Sequence, residues 1–216
     1  MKNRNAFTPI ELLIVVAIIG ILAAIAVPNF LNAQARSKLA RNYADMKNLG
    51  TAIESFRLDH GYLLVDFWDD DTDKGIKRIT LLGIQPFNNG YDRTMIQILG
   101  PLTTPVSYMS SIPRDPFNDK MAAKDSVEYV HYANGTYIYG DNEPYYGGEN
   151  HSLNGLTKSG SKTSGLRPLG ANEWALMGIG PDGKWESTFR AMPFDVSNGV
   201  GSFGDIVFLS ACGPAE

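Results

Sequence analysis

The sequence predicts an α+β protein in which one long N-terminal helix packs against a small C-terminal antiparallel β-sheet. Residues 12–27 are all apolar or Gly, and a helical periodicity follows them. The second half of the chain holds short runs of β-branched and aromatic residues, separated by Asn-Gly and Pro-Asp-Gly turn signals. One long helix followed by a run of strands is typical of the α+β class.

The first 30 residues organise the chain. A basic head with Lys2 and Arg4 precedes an apolar run that contains one carboxylate, Glu11. A segment that is apolar around its whole circumference does not suit the surface of a soluble helix. Because about 20 apolar residues cross the hydrocarbon core of a bilayer, residues 7–30 predict a transmembrane helix.

Three interpretations of this segment compete. A secretory signal peptide needs a small-x-small cleavage site, and Ala24 and Ala26 keep that option open. A plain membrane anchor leaves Glu11 unexplained, because a carboxylate in a membrane is costly unless it is paired. In the third interpretation, the carboxylate is paired with a charge on another subunit.

The stretch Ala6-Phe7-Thr8-Pro9-Ile10-Glu11-Leu12-Leu13 resembles the class III signal of type IV pilins and of the pseudopilins of type II secretion. The resemblance implies a leader of residues 1–6, cleavage between Ala6 and Phe7, N-methylation of Phe7, and retention of Glu11 as the assembly acid. Ala6 stands where the family usually has Gly, and Pro9 where it usually has Leu. Proline is tolerated in the first turn of a helix.

The same resemblance implies how the segment works. The freed ammonium of Phe7 on one subunit would pair with Glu11 of a neighbour, so that membrane-inserted subunits assemble in register into a homo-oligomeric helical filament. The implied partners are a prepilin peptidase, an inner-membrane assembly platform, other minor pilins or pseudopilins, and membrane lipid. The implied location is the bacterial inner membrane with a periplasmic head, or the cell exterior for a true pilin. The alternative is a single anchor whose Glu11 snorkels to the headgroups.

Residues 31–59 predict the amphipathic half of the same helix. Apolar residues recur there at spacings of three and four, which marks one buried face: Leu39, Tyr43, Met46, Leu49, Ile53 and Phe56. Pro28 removes a backbone hydrogen bond, so we expect a kink, with a break into two helices as the alternative. Residues 60–216 then form a pilin-like globular head.

Composition limits the other options. The chain of 216 residues has a formal net charge of -4 and no dense basic patch, so no nucleic-acid partner is expected. Cys212 is the only cysteine, which excludes an intrachain disulfide and a Cys-based metal cage. Many adhesive pilins carry a C-terminal disulfide, so its absence favours the pseudopilin branch of the family.

The head begins with an acid-rich stretch, Asp66 to Lys74, which we interpret as a solvated loop because its spacing does not fit a calcium loop. A short helix is predicted at residues 93–99. The next motif, Ile112-Pro113-Arg114-Asp115-Pro116-Phe117, predicts an extended corner that ends in a turn. It resembles the corner that leads into the sheet of G-type major pseudopilins.

Strands are predicted from alternation and turn signals. Residues 126–133 and 136–139 form a hairpin around Asn134-Gly135. A long loop at 140–172 follows, then a strand at 173–180, a turn at 181–183, a partner strand at 184–189 and a last strand at 205–209.

The segment Ile179-Gly180-Pro181-Asp182-Gly183 with the later Gly204-Asp205-Ile206 is similar to a calcium-binding loop of G-type pseudopilins. The resemblance implies Asp182 and Asp205 as calcium ligands, and Asp195, Ser197 and Ser202 are further possible oxygen donors. The alternative is that Asp182 is an ordinary turn residue and Asp205 a strand-end cap. No other cofactor is expected.

The implied function is that of a structural subunit of a type II secretion pseudopilus, with a pilin of an extracellular type IV pilus (adhesion, motility or DNA uptake) as the alternative. A third class is a membrane-tethered hydrolase or sugar-binding head that uses Trp174, Trp185 and tyrosines. No acid-base pair stands out, so no catalytic residue is nominated. The pattern Gly178-x-Gly180-x-x-Gly183 is a turn rather than a nucleotide loop.

Overall fold

A computed structural model describes residues 8–66, 69, 72–84, 93–118, 135–142, 169–183, 193–210 and 213–214. Its helices are α1 (Pro9–His60), α2 (Asp73–Leu81) and α3 (Met95–Leu99), and its strands are β1 (Ile138–Asn142), β2 (Glu173–Gly178), β3 (Ile206–Leu209) and β4 (Gly213–Pro214). The predicted α+β class is confirmed. The chain divides into two compact units, Met1–Ser37 and Lys38–Glu216.

The described part of the first unit is helical and carries its apolar side chains on the outside. Between Ile10 and Leu31 the large apolar residues are 46–73% exposed. The helix assignment continues through Pro28 without interruption. The structure therefore does not contain the break into two helices that we gave as the alternative.

The second unit, called the head below, contains the C-terminal part of α1, and this part buries one face. Its buried residues are Leu39, Asn42, Met46, Leu49, Gly50, Ala52, Ile53 and Phe56. The predicted apolar periodicity is confirmed, with half-buried Tyr43 at its edge. All of these residues except Asn42 and Gly50 belong to one hydrophobic core with residues of β1, β2 and β3.

Gly50 is the point where α1 lies closest to the indole ring of Trp174 in β2. A Cβ atom built on Gly50 would lie 2.8 Å from Cη2 of Trp174, which is too close for a real contact. The indole Nε1 donates a hydrogen bond of 2.7 Å to Oε1 of Glu54, one turn further along α1. The absence of a side chain at residue 50 thus sets the distance between helix and sheet.

The sheet is antiparallel with the strand order β1-β2-β3-β4. The strands predicted at 173–180 and 205–209 are confirmed, and so is the turn at 181–183, where Gly183 has φ +68° and its N–H donates to Gly180 O. Two boundaries were wrong: β1 continues to Asn142, so the long loop does not begin at 140, and β4 follows the strand predicted as last. The strands predicted at 126–133 and 184–189 lie outside the described residues.

The described residues of the acid-rich stretch, 66, 69 and 72–74, differ from the solvated loop that we predicted, because two of its acids are buried and residues 73–74 begin α2. Asp66 and Asp69 are 2% and 3% exposed, and a carboxylate oxygen of Asp69 accepts a hydrogen bond from the N–H of Asp66. Thr72 caps α2 by accepting a bond from Gly75 N, and Asp73 lies in the first turn, where the helix dipole favours an acid. The short helix predicted at 93–99 is confirmed as α3.

Candidate functional site

The N-terminal part of α1 is long and apolar enough to cross a membrane. An 18-residue window has a mean hydropathy of 3.0 and is entirely unburied, and among the described residues no other helix meets these criteria of length and composition. A helix of this composition exposes apolar side chains that water would not favour. Its composition and exposure make this segment a candidate membrane anchor.

Glu11 lies in the first turn of this helix and folds back onto Thr8. The backbone N–H and the hydroxyl of Thr8 each donate a hydrogen bond of 2.8 Å to Oε2 of Glu11. In return, Oγ1 of Thr8 accepts from the N–H of Glu11 at 3.3 Å. This reciprocal arrangement is a capping box, which satisfies N–H groups that a helix start otherwise leaves without partners.

The capping box determines which oxygen of the Glu11 carboxylate can bind a partner. Both bonds from Thr8 end on Oε2, so with respect to the residues from Thr8 onward that the structure describes, Oε1 is available to a donor from another molecule. Ala6 and Phe7, the predicted cleavage pair, lie outside the described residues. Cleavage, methylation and the assembly role of Glu11 therefore stay predictions.

Asp115 is the polar centre of the head, a role that its sequence position did not suggest. It is 1% exposed. Its Oδ1 accepts hydrogen bonds from Asn42 Nδ2 at 3.1 Å and from Phe117 N at 2.9 Å. Its Oδ2 accepts one of 2.7 Å from the N–H of Ile179. One carboxylate thus ties together α1, the proline corner and the end of β2.

Two tyrosines near the start of β1 are buried, and Tyr137 is the one close to Asp115. The hydroxyl of Tyr137 donates to Asp45 at 3.4 Å, and burial, with the charges of Asp115 and Asp45, raises the pKa of Tyr137. The hydroxyl of Tyr139 donates to Asp141 at 2.9 Å, and burial together with the charge of Asp141 raises the pKa of Tyr139. Both phenols therefore remain protonated hydrogen-bond donors at neutral pH.

The two aspartates predicted as calcium ligands lie in adjoining segments. A Cβ built on Gly180 would fall 1.7 Å from the backbone oxygen of Gly204 and 3.5 Å from Oδ1 of Asp182. The segment before Asp182 therefore contacts the residue before Asp205 directly, and only glycine fits at this contact. Asp205 is 0% exposed, whereas Asp182 is half-buried.

The three further oxygen donors lie on the neighbouring loop. Phe194 N donates to Asp205 O at 2.8 Å, which places Asp195 next to the strand end. Oδ1 of Asp195 accepts from Ser197 N at 2.8 Å, and the hydroxyl of Ser202 donates to the backbone oxygen of Asp195 at 3.0 Å. The hydrogen bonds from Ser197 lower the pKa of the Asp195 carboxyl.

A metal ion here would need backbone oxygens as ligands. Among the described residues, no three His, Cys, Asp or Glu side chains are grouped closely enough to hold a metal ion. Two carboxylates with backbone carbonyls are an oxygen-only donor set, which suits calcium and not zinc. The donor chemistry therefore fits calcium, which stays a prediction.

Trp174, which we named as a residue of a possible sugar-binding head, is not available to a sugar. Trp174 is 1% exposed and packs in the core between α1 and Phe208. Its indole therefore offers no face to a sugar ring. Of the histidines, His60 stacks on Phe56 at 4.1 Å, and His131 and His151 lie outside the described residues. Trp185 also lies outside them.

Comparison with known proteins gives two kinds of match. The family profile described as the prokaryotic N-terminal methylation motif matches residues 1–27. The type IV major pilin protein PilA of Myxococcus xanthus is 62% identical over 55 residues, which cover 26% of this chain and 24% of that protein. A fimbrial protein of Pseudomonas aeruginosa is 40% identical over 100 residues, 45% of this chain and 61% of that protein.

A further relative is the type II secretion system core protein G of Pseudomonas aeruginosa. It is 26% identical over 131 residues, 59% of this chain and 88% of that protein. The chain thus spans 24% of the length of PilA and 61% of the fimbrial protein. No solved structure matches the chain significantly.

These relatives are structural proteins of filaments and secretion systems. Pilins and a type II secretion protein match the same chain, so the two branches are not separated by the comparison. The methylation motif, the long apolar helix, the α+β head and these relatives together make the chain similar to type IV pilins and to a type II secretion core protein.

Proposed function

We propose that the protein is a structural, non-enzymatic subunit of a type II secretion pseudopilus. It is made as a prepilin, inserted into the inner membrane, trimmed and methylated at Phe7, and assembled into a periplasmic filament. One observation carries the choice of branch. The match to core protein G covers 88% of that protein over 131 residues, which is far more than the 52 residues of α1.

The length of the match matters because α1 alone does not distinguish a pilin from a pseudopilin. An apolar helix that packs into a filament core is needed by pilins and pseudopilins alike, so identity within it does not separate them. The head determines the filament surface and therefore the branch. The match to PilA, over 55 residues, is about as long as the helix alone.

The assembly mechanism uses the geometry of Thr8 and Glu11. The capping box holds the Glu11 carboxylate at the start of α1 through Oε2. Oε1 then accepts a hydrogen bond from the Phe7 ammonium of a neighbouring subunit, so that both charges are neutralised in the membrane. Thr8 acts as a positioning residue, because it fixes the carboxylate without consuming its second oxygen.

Calcium is proposed as a structural ion of the head. Asp182 and Asp205 would hold it together with backbone carbonyls, and Asp195, Ser197 and Ser202 would supply further oxygens. The close contact between Gly180 and Gly204 supports this site, because it brings the two aspartate-bearing segments together. The ion would fix the end of β2 to the segment before β3.

The second candidate is a pilin of an extracellular type IV pilus. The 40% identity to a fimbrial protein over 100 residues favours it, since that match also extends beyond α1. The protein would then form long fibres outside the cell rather than a short periplasmic filament.

Deletion of the gene tests both candidates. The pseudopilin predicts loss of exoprotein release with surface fibres unchanged, and complementation by the full chain restores release. Loss of shearable surface fibres with normal exoprotein release would contradict the pseudopilin and support the pilin.

A further inference from the structure

The head exposes large apolar side chains in two separate places. Among its described residues, these are Leu58, Leu81, Val106, Val196 and Phe203. Leu81 and Val106 line a cleft at the C-terminal end of α1, and Leu58 lies in the same last turns of the helix. Val196 and Phe203 lie on the loop before β3, called the 195–203 loop below.

The cleft has an aromatic floor and an apolar rim. Its volume is about 290 Å³. Phe56 forms the floor, His60 stacks on it, and Tyr62 and Tyr108 stand edge-on to it with ring centroids 5.9 Å away. Because a cavity of roughly 150 Å³ accommodates a benzene molecule, this cleft has room for one aromatic side chain.

The 195–203 loop presents an aromatic side chain of that kind. Phe203 is 66% exposed and Val196 57% exposed. The loop is held in shape from within, since Asp195 accepts a bond from Ser197 N and Ser202 donates back to Asp195 O. A Phe on a preorganised loop loses little entropy when it is buried by a partner.

The cleft and the loop lie at opposite ends of the head along α1. Phe203 precedes Gly204, whose backbone contacts Gly180. The end of β2 next to Gly180 packs on Met46 and, through Asp115, on Asn42. Phe56 and His60, which line the cleft, follow those positions by 10 to 18 residues, roughly 15–27 Å at 1.5 Å per residue. A copy displaced along α1 can therefore bring its loop to this cleft.

The charges next to the two apolar surfaces are complementary. Asp195 is the charged residue of the 195–203 loop, and it is exposed. Lys77 is exposed one helical turn before Leu81 on α2. Asp59, the acid near the cleft, already accepts a hydrogen bond of 2.8 Å from the hydroxyl of Tyr108. Opposite charges at the rim of an apolar contact favour one orientation of the partners.

We propose that the cleft binds the 195–203 loop of a second copy of this chain, with Phe203 in the cleft and Asp195 next to Lys77. The contact is heterologous, because the two surfaces differ, and repetition along one direction gives an open filament rather than a closed dimer. This inference rests on the proposed filament function. It adds a contact between heads to the contact between membrane helices.

Cysteine cross-linking of assembled filaments tests the contact. In the full chain with Cys212→Ser, Val196→Cys and Val106→Cys place one thiol on the loop and one at the cleft rim, and leave Phe203 in place. Oxidation of sheared or isolated filaments should give a ladder of dimers, trimers and higher oligomers on a non-reducing gel. Adding Phe203→Ala to this pair should reduce the ladder several-fold.

The matched control pairs Val196→Cys with Thr51→Cys, an exposed position in the middle of the head segment of α1. This control should remain monomeric under the same oxidation. Filaments of normal length without a ladder from the 106 and 196 pair, or with an equal ladder from the control pair, would overturn the contact alone. Absence of any filament from the Cys212→Ser parent would instead contradict the proposed function, and the contact with it.

Discussion

Removal of the Asp115 carboxylate tests whether this residue holds the head together. Asp115→Ala removes the buried hydrogen bonds of 2.7–3.1 Å that the carboxylate accepts from Asn42, Phe117 and Ile179. A hydrogen bond to a charged group contributes about 1.5–3 kcal/mol, and a buried donor left without its acceptor adds a desolvation cost. Because such contributions do not add fully, we expect a loss of about 4 kcal/mol in the free energy of unfolding.

The assay is thermal or urea unfolding of the full chain in detergent micelles. For a unit of this size, about 4 kcal/mol corresponds to a decrease of roughly 8–16 °C in Tm. Asp115→Asn should cost about half as much, because an amide oxygen can still serve Asn42 and Phe117 while the amide nitrogen faces the N–H of Ile179.

With chelator present in all samples, so that the proposed calcium site is empty, Asp195→Ala is the matched control, since it removes an exposed carboxylate that also accepts a backbone N–H. We expect only a small change in Tm for this variant. A change for Asp115→Ala no larger than that of the control would refute the argument that a buried carboxylate joins the three segments.

Three further experiments test packing, ionisation and metal binding. Gly50→Ala should lower Tm although alanine favours helix, because its Cβ would lie 2.8 Å from a carbon of the Trp174 indole. Gly100→Ala is the control and should not lower Tm, because a Cβ there has no neighbour within 4 Å. The free energy of unfolding should fall as the pH rises above about 10, because the unfolded chain then ionises phenols that the fold keeps neutral. Tyr139→Phe should make the free energy of unfolding depend less on pH in this range. An unchanged pH dependence in this variant would contradict the assignment to Tyr139. If calcium binds, a hundredfold excess over Kd adds about 2.7 kcal/mol, so a chelator should lower Tm in the wild type but not in Asp182→Asn or Asp205→Asn. A wild-type Tm that ignores chelator would count against the site.

The long helix and the sheet could be predicted because their signals are local. An uninterrupted apolar run and a spacing of three and four identify α1 up to its last turn. Alternation and a Pro-Asp-Gly turn identify β2. In both cases, the residues that determine the structure are neighbours in the chain.

The errors arose where local signals conflicted or were absent. The acid-rich stretch suggested a solvated loop, although Thr72 and Asp73 are a usual helix start and could have indicated α2. The role of Asp115 was not predictable, since its partners Asn42 and Ile179 lie 73 and 64 residues away in the chain. The same holds for the contact of Gly50 with Trp174, which depends on how the helix meets the sheet.

The candidate site shows a similar division. The methylation motif is a local pattern, and its match over residues 1–27 confirms the family resemblance. The capping bonds from Thr8 to Glu11 also follow from a spacing of three residues, although the sequence analysis assigned Thr8 no role. The contact between the Asp182 and Asp205 segments was suggested by resemblance, since over 20 residues separate them.

Filament assembly by a Glu11 variant tests the central claim most directly. Glu11→Ala and the closer isostere Glu11→Gln remove the negative charge and leave the apolar helix intact, so membrane insertion should continue. The measurement compares the amount of membrane-inserted protein with the amount recovered in filaments. Normal insertion with loss of filaments is the predicted result. Filaments in wild-type amounts from either variant would contradict assembly through the Phe7 and Glu11 charge pair.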